Sequence, residues 1–272
     1  MRIDVYLTQH GYAASRTYAQ RLITQGKVKV DGSVVTRPGY LIDEDAEHDV
    51  VLSQEEDYVG RGGYKLEAAL TAFGISAKDA WCLDVGASTG GFTDCLLRDG
   101  AARVYAVDSG SGQLAPCLLE DDRVINIEKC NARYLSAQQL GEDFIRHGGA
   151  DLIVMDVSFI SQCYILPALI PLMHKGTNLV TLIKPQFEVG RERVGKGGIV
   201  KDAKARRMAV SRVLTDAASL GLLSRGVIRS PIQGGDGNVE FLTAFCLARP
   251  EEEQALLSQK QSGADVFPGV LY

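Results

Sequence analysis

Acidic and basic residues stand where several predicted strands of this chain end. Asp84 ends the apolar run WCLD, and Asp108 ends the next strand, ARVYAVD. Asp156 follows a later strand in "MDVSFIS", and Lys184 follows another in "LIKPQFE". Because the carboxyl ends of parallel strands meet at one edge of a sheet, we expect these side chains to share one cleft. Acids and a lysine in a cleft could bind a cationic ligand and move a proton.

The glycine-rich turn after Asp84, "DVGASTGG", also predicts a ligand. The turn is neither G-x-G-x-x-G nor a phosphate-binding loop that ends in G-K-[ST]. An acid at the strand tip would repel a phosphate but suits an amino group or a sulfonium. Asp108, about twenty residues on, stands where an acid binds a ribose diol. We therefore expect S-adenosylmethionine, and the alternative is a tight turn that binds nothing.

The turns around the cleft distinguish between classes of methyl acceptor. An amine methyltransferase commonly has [ND]-P-P-[YF], where this chain has DVSF, and a pyrimidine-carbon enzyme needs a cysteine near the loop, whereas Cys163 is predicted inside a helix. A ribose hydroxyl needs a base, and a lysine whose pKa is lowered by partial burial and a second cation can take its proton. The alternatives are a solvated lysine and a solvated acid. The candidates are Lys65 in "GRGGYKL", Asp156, Lys184 and Glu240 in "GNVEF".

Strands and helices alternate from Trp81 onward, and this order predicts an α/β fold with an open, mostly parallel sheet whose last two strands pair. A helix, KLEAALTAFG, precedes the sheet and is capped by Gly74. The tail EEEQALLSQKQSGADVFPGVLY looks polar and loose, with a possible short helix. The strands are WCLDVG, ARVYAVD, RVINIE, DLIVMDVS, TNLVTLIKP, LLSRGVIRS and VEFLTAFCLAR. The helices between them are FTDCLLRDG, GQLAPCLLE, SAQQLGEDFIRHG, YILPALIPLM and DAKARRMAVSRVLTDAASLG.

A small basic module precedes this body. Up to Ile42 the cations outnumber the acids by six to two, whereas the following DEDAEHDVVLSQEED is acidic and predicts a strand, DVVLS, and a linker. Ser15 is a plausible cap for a helix that Gly26 ends, and KVKVDGSVVT is typical of a hairpin. The cations would crowd one side, as either a phosphate-binding face or a solvated one. They are Arg2, Arg16, Arg21, Lys27, Lys29 and Arg37.

Charge, hydropathy and the cysteine pattern indicate where the protein resides and whether its cysteines are paired. The net charge is −5, and the chain has neither an apolar run of about 18 residues nor the apolar core of a signal peptide, so we expect a cytoplasmic protein. The six cysteines are scattered and form no C-x-x-C pair. They predict free, mostly buried thiols rather than a metal site or disulfides.

Several strings together resemble a known family. Lys65, Asp156, Lys184 and Glu240 resemble the K-D-K-E tetrad of FtsJ-like ribose 2'-O-methyltransferases. The chain is similar to the TlyA/hemolysin-A-like rRNA methyltransferases from Arg2 to about Arg249, and its basic module is similar to the RNA-binding module of ribosomal protein S-four. The strings that carry the likeness are SRTYAQRLITQGKVKVDG, GRGGYKL, DVGASTGGFTDCLL, NAR, DVSFIS, KPQFEVGRERVGKGGIV and GNVEF.

The resemblance implies a Rossmann-like, seven-stranded S-adenosylmethionine-dependent methyltransferase sheet with a small N-terminal α/β RNA-binding domain. We expect domains at 1–60 and 61–249 and a tail at 250–272. Lys184 would be the base, Asp156 and Lys65 would orient it, and Glu240 would position the ribose or Lys65. The expected cofactor residues are Asp84, Gly86, Ala87, Ser88, Gly90, Gly91, Phe92, Asp108, Asn131 and Asp156. RNA would also meet a lid, EVGRERVGKGG, and the cleft rim, through Arg133, Arg191, Arg193 and Lys196.

The implied reaction is methylation of a cytidine 2'-hydroxyl in ribosomal RNA without a metal. Some family members carry a basic extension associated with modifying RNA of both subunits, and its absence ahead of Arg2 favours large-subunit RNA. We expect a monomer. The alternatives are a catalytically idle ribosome-assembly factor, a small-molecule methyltransferase and, with no membrane stretch to support it, a haemolysin.

Overall fold

The computed structural model divides the chain into two compact units, Met1–Asp57 and Tyr58–Tyr272. The structure does not describe part of the predicted acidic linker or the side chains of Arg21 and Val266. The described residues are 1–13, 15–24, 26–44, 46, 48–52, 58–235, 237–267 and 269–270.

The first unit packs two helices against a small antiparallel sheet of order β2-β1-β3. The predicted hairpin is confirmed, with Val30 opposite Ser33 across the Asp31-Gly32 turn. Ser15 caps the second helix as expected, since its hydroxyl accepts a hydrogen bond from the Tyr18 N–H at 3.2 Å. The elements are α1 (Ile3–Gln9), α2 (Arg16–Thr24), β1 (Val28–Val30), β2 (Ser33–Val35) and β3 (Val50–Leu52). Its core includes Ile3, Leu7, Ala19, Leu22, Ile23 and Val28.

The second unit is built on a seven-stranded sheet of order β6-β5-β4-β7-β8-β10-β9. β4 pairs in parallel with β5 and β7, and β10 is antiparallel to both of its neighbours, so the predicted sheet and its paired last strands are confirmed. The strand order reverses beside β4, which opens a crevice at the carboxyl ends of the strands. The strands are β4 (Trp81–Val85), β5 (Arg103–Val107), β6 (Val124–Ile127), β7 (Ala150–Met155), β8 (Met173–Ile183), β9 (Leu222–Arg229) and β10 (Phe241–Leu247).

The helices differ from the predicted ones where proline or glycine interrupts them. The segment YILPALIPLM is a short helix between 3₁₀ turns rather than one helix, and Cys163 lies in the first of those turns. SAQQLGEDFIRHG divides at Gly141, whose φ of 100° no helix accommodates. The helices are α3 (Gly62–Phe73), α4 (Gly91–Arg98), α5 (Pro116–Leu119), α6 (Ala137–Leu140), α7 (Glu142–His147), α8 (Leu166–Leu169), α9 (Pro185–Glu188), α10 (Ala203–Ser219) and α11 (Glu253–Ser262).

The sheet has an apolar core on each face because successive strand residues point to opposite sides. In β4, Leu83 joins the core that contains α10, whereas Cys82 joins the core beneath α3 and α4. β7 divides in the same way, with Ile153 on the first face and Leu152 on the second. These two layers hold the strand ends at fixed spacing.

The possible short helix of the tail is confirmed as α11, but the first half of the tail is packed rather than loose. α11 packs on β9 and α10 through Gln259, which is buried. Its side-chain oxygen accepts the Ser224 N–H at 2.7 Å, and its amide group donates to the carbonyls of Leu214 and Leu222. A buried amide with three partners anchors the helix. Among the residues that the structure describes, no helix is long and apolar enough to cross a membrane.

Candidate active site

The carboxyl ends of β4, β5 and β7 surround a cavity of about 500 Å³, as the strand-end acids predicted. Asp108 and Asp156 line it, with Asn131 on the following loop. A smaller cavity of about 170 Å³ adjoins it and is lined by Lys184 and Arg61. The residues shared by both cavity walls are Gly86, Ser88, Asp156 and Ser158.

Asp108 holds the glycine-rich loop in place. One of its carboxylate oxygens accepts the Ser88 N–H at 2.8 Å and the other accepts the Gly110 N–H at 2.7 Å. Each oxygen can accept a second hydrogen bond, so the carboxylate is still able to bind a diol. The clamp also supports the unusual backbone of Ser88, whose φ is 49°.

The glycines of the loop serve packing inside the protein. A Cβ at Gly86 would lie 2.6 Å from the carbonyl oxygen of Asp156. At Gly90 it would lie 2.2 Å from a methyl carbon of Leu118, and at Gly91 it would lie 3.1 Å from the carbonyl oxygen of Gly60. The tight-turn interpretation therefore accounts for Gly90 and Gly91 without a ligand, although Gly91 also borders the smaller cavity with Ala87 and Phe92.

Asp84 lies beneath the loop rather than on either cavity wall. It is fully buried, and one oxygen accepts the Thr93 hydroxyl at 2.7 Å. The other oxygen has no hydrogen-bond partner among the described residues. Burial raises the pKa of Asp84 to about 7, and the charges of Asp156 and Asp108 add to the shift. Asp108 and Asp156, which do line the larger cavity, are the strand-end acids that a ligand with a positive charge and a ribose, as S-adenosylmethionine has, would meet.

The four residues of the predicted tetrad form two ion pairs. Lys184 Nζ lies 2.6 Å from Asp156 Oδ1 and donates to Ser158 Oγ at 2.7 Å. Lys65 Nζ, from α3, donates to Glu240 Oε2 at 2.6 Å, and both partners are buried. Among the described residues, Lys184 contacts an acid and a hydroxyl rather than the second cation that we expected.

Two loops of the site are tied together by Glu188, which the sequence analysis missed. Its carboxylate accepts the Ser161 hydroxyl at 2.6 Å and the Gln162 N–H at 2.9 Å. Burial raises the pKa of Glu188, while the bonds from Ser161 and Gln162 oppose that shift. The bridge joins the loop after β7 to α9, and the only sequence signal was that these polar residues lie in the same strings as Asp156 and Lys184.

The thiol of Cys163 is a weak candidate for a catalytic nucleophile at the site. Burial raises the pKa of Cys163 to about 12, with the charge of Glu188 adding to the shift, so its thiol is a poor nucleophile. Within the described parts of the chain, no three histidine, cysteine or acidic side chains are grouped to hold a metal ion.

Phe159 is an exposed aromatic residue at the larger cavity that the sequence analysis also missed. Its side chain is 92% exposed and its ring centroid lies 5.3 Å from that of Phe187. Its φ is 64°, a region that a bulky side chain seldom occupies without a compensating role.

The predicted lid is anchored beside the tetrad. Asn238, which is buried, accepts the Val200 N–H at 3.0 Å and donates to the Gly198 carbonyl at 2.9 Å. Asn238 precedes Glu240 by two residues. The segment that binds the end of the lid therefore also carries the acid of the Lys65–Glu240 ion pair. The lid cations Arg191, Arg193 and Lys196 are exposed.

The basic module uses part of its charge internally. Arg2 and Arg16 each donate to the buried carboxylate of Asp4 at 3.0 Å, and Gln20 donates to it at 2.6 Å. Lys29 and Arg37 are exposed, and Lys27 is half-buried. The predicted RNA-binding cations thus include two that also stabilise the fold, and the side chain of Arg21 lies outside the described residues.

Comparisons with known proteins agree with this architecture. The family model for FtsJ-like methyltransferases matches residues 58–246, and that for the S4 domain matches residues 1–48. The 16S/23S rRNA (cytidine-2'-O)-methyltransferase TlyA of Mycobacterium tuberculosis is 44% identical over 94% of this chain and 92% of its own. Hemolysin A of Brachyspira hyodysenteriae is 41% identical over 91% of this chain and 100% of its own. A solved structure described as a putative hemolysin from Streptococcus thermophilus is 38% identical, covers 96% of each chain and has a TM-score of 0.67.

Proposed function

The chain belongs to the FtsJ-like methyltransferase family, and from that premise we propose that it methylates the 2'-hydroxyl of a cytidine in ribosomal RNA. The observation that carries the proposal is Lys184, held by Asp156 and Ser158 at the carboxyl end of β8 and beside the glycine-rich loop. The M. tuberculosis relative is named for this reaction. We propose large-subunit RNA as the first substrate.

S-adenosylmethionine supplies an electrophilic methyl group when it is bound. The residues that would hold it are those of the larger cavity. Asp108 would accept hydrogen bonds from the ribose hydroxyls, the loop from Gly86 to Ser88 would border the methionine portion, and Asn131 would lie near the adenine. The fit rests on Asp108, whose carboxylate lines the larger cavity and keeps acceptor capacity for a ribose diol.

Lys184 would prepare the acceptor. A ribose hydroxyl attacks a methyl group efficiently only as it loses its proton, and Lys184 Nζ would accept that proton in its neutral form. Asp156 and Ser158 fix the position of Nζ through their 2.6 and 2.7 Å contacts. The buried Lys65–Glu240 pair would position the ribose, because a rigid, desolvated ion pair presents fixed donors and acceptors.

RNA would be held mainly by charge. The exposed cations of the basic module and of the lid would contact phosphates, which gives salt-dependent affinity and little choice of sequence. The anchoring of the lid by Asn238 supports a role in which it orders over RNA beside Glu240. The target nucleotide would leave its stack to bring its ribose to Lys184.

The test is methyl transfer from labelled S-adenosylmethionine to ribosomal particles from cells that lack the gene, with intact ribosomes and each free subunit assayed. A 2'-O-methyl group blocks alkaline cleavage, so the product maps as a resistant nucleotide. We expect one resistant cytidine in large-subunit RNA. Label on a base would overturn the role of Lys184, and cofactor binding without transfer to any particle would favour an idle assembly factor.

A further inference from the structure

Arg133, expected above to contact RNA at the cleft rim, forms an exposed group with Tyr134 and Tyr164, and we call it the arginine–tyrosine platform. The guanidinium carbon of Arg133 lies 5.2 Å from the ring centroid of Tyr164 and 5.7 Å from that of Tyr134. The side chain of Tyr164 is 56% exposed and that of Tyr134 is 69% exposed. Among the described residues, the guanidinium group has no ion-pair or hydrogen-bond partner of its own.

The platform is rigidly mounted. Arg133 and Tyr134 belong to a 3₁₀ turn that Asn131 caps by accepting the Arg133 N–H at 3.1 Å. Tyr164 ends a second 3₁₀ turn, which Ser161 caps and Glu188 holds through its bond to Ser161. Capped turns fix the backbone beneath the rings, so a flat ligand would meet a surface that is already ordered.

The chemistry of the platform suits a nucleobase. A guanidinium plane and tyrosine rings stack on bases irrespective of base identity, and such stacking strengthens the binding of single-stranded nucleic acid. A surface cation–π contact by itself stabilises a protein only weakly. Because the contact with Arg133 leaves most of both tyrosine rings in water, the exposed rings favour a role in binding a ligand over a role in internal packing alone.

The position of the platform identifies which base it would meet. Arg133 follows Ala132, and Tyr164 precedes Ile165, and both of these neighbours line the larger cavity. Lys184 lines the smaller cavity instead. S-adenosylmethionine would occupy the larger cavity and the target ribose would lie at Lys184, whereas the three platform residues line neither cavity. The platform therefore remains for another nucleotide. We propose, resting on the function above, that the platform stacks an unpaired base that flanks the methylated nucleotide in the RNA.

The test measures the binding of large-subunit ribosomal RNA across a series of salt concentrations. It compares the wild-type protein with the variants Tyr164→Ala, Tyr164→Phe, Tyr134→Ala and Tyr134→Phe. We expect each alanine variant to weaken binding by about 5- to 100-fold and each phenylalanine variant to retain it. The slope of log affinity against log salt should not change, since the rings carry no charge. Ile145→Ala, an exposed apolar truncation in α7, is the matched control and should bind normally.

Two results would overturn the proposal. Alanine variants that bind as the wild type does would show that the rings are idle, and phenylalanine variants as weak as the alanine ones would assign the effect to the hydroxyl groups. Methyl transfer is measured in parallel. If the wild-type protein methylates RNA and the alanine variants bind RNA as well as it does, only the platform proposal is refuted. If the wild-type protein neither binds nor methylates RNA, both proposals are refuted.

Discussion

Two buried acids, Asp4 in the first unit and Asp84 in the second, show how differently the two regions treat charge. Both are fully buried. Burial alone would raise the pKa of Asp4, but bonds from Arg2, Gln20 and Arg16 hold it far below its usual range. Asp84 has one hydroxyl donor, and its pKa rises to about 7. The carboxylate of Asp4 has a full set of donors that stabilise the fold, whereas one oxygen of Asp84 has no hydrogen-bond partner among the described residues.

The contrast extends to the groups around each acid. The first unit places its positive-φ Asp31 in an Asp-Gly hairpin turn, where that backbone is favoured. The second unit places a positive φ on exposed Phe159 and encloses two lysine–acid pairs. Retained strain and incompletely paired polar groups are typical of functional sites. Substitutions in the two regions should therefore have different consequences.

The largest expected effect is on turnover. Lys184→Ala should lower kcat by about 10²- to 10⁴-fold, because the proton acceptor is lost. Cofactor affinity and the free energy of unfolding should stay near wild-type values. Single-turnover methylation and calorimetric titration with S-adenosylmethionine measure both properties. Lost cofactor binding would reassign Lys184 to the cofactor cavity.

Asp4→Ala should show the opposite pattern, a loss of stability. Three donors lose their acceptor, but the arginines are about half exposed and can be rehydrated, so we expect a loss of about 2 kcal/mol in the free energy of unfolding. Arg37→Ala, which removes an exposed cation from the same unit, should change it by less than about 0.5 kcal/mol. Urea titration measures the free energy of unfolding of both variants. If Asp4→Ala were as stable as Arg37→Ala, Asp4 would not have the stabilising role that distinguishes it from Asp84.

Asp84→Asn should change how stability depends on pH. The pKa of Asp84 is about 7 when folded and about 3.9 when unfolded, so between these values the folded state binds a proton that the unfolded state has lost. Its contribution to the free energy of unfolding therefore falls as pH rises from about 4 to 7, by at most about 1.4 kcal/mol per pH unit. The variant should remove this slope, and exposed Asp122→Asn should keep it. The lowered pKa of Asp4 acts with the opposite sign, since its contribution is lost as pH falls.

The smallest expected effect on stability is at Phe159. Phe159→Gly should leave the free energy of unfolding unchanged or raise it by about 1 kcal/mol, because glycine adopts a φ of 64° without strain. The same change should raise the KM for RNA if the exposed ring is kept for substrate. Thermal unfolding and steady-state methylation test the two halves. A marked loss of stability would show that the strained ring supports the fold.

Local patterns in the sequence were sufficient for the sheet and for one edge of the site. Apolar runs of strand length, each followed by a turn, predicted all seven strands, and their order placed Asp108, Asp156 and Lys184 at one edge. That inference works because strand periodicity and parallel topology depend on residues close together in the chain. It failed for YILPALIPLM, where Pro167 and Pro171 interrupt an apolar helical pattern.

Long-range pairing was decided only by the tertiary structure. The family resemblance left open whether Glu240 positions the ribose or Lys65, and the fold pairs Glu240 with Lys65 across 175 residues. Lys184 and Asp156 form a second, distinct pair. The fold likewise buried Asp84 under its loop and docked Gln259 against β9. The spacing of apolar residues along a helix or strand predicts which of its faces is buried. Which distant side chain satisfies a buried polar group depends on how the layers close, and that information lies in the packed chain alone.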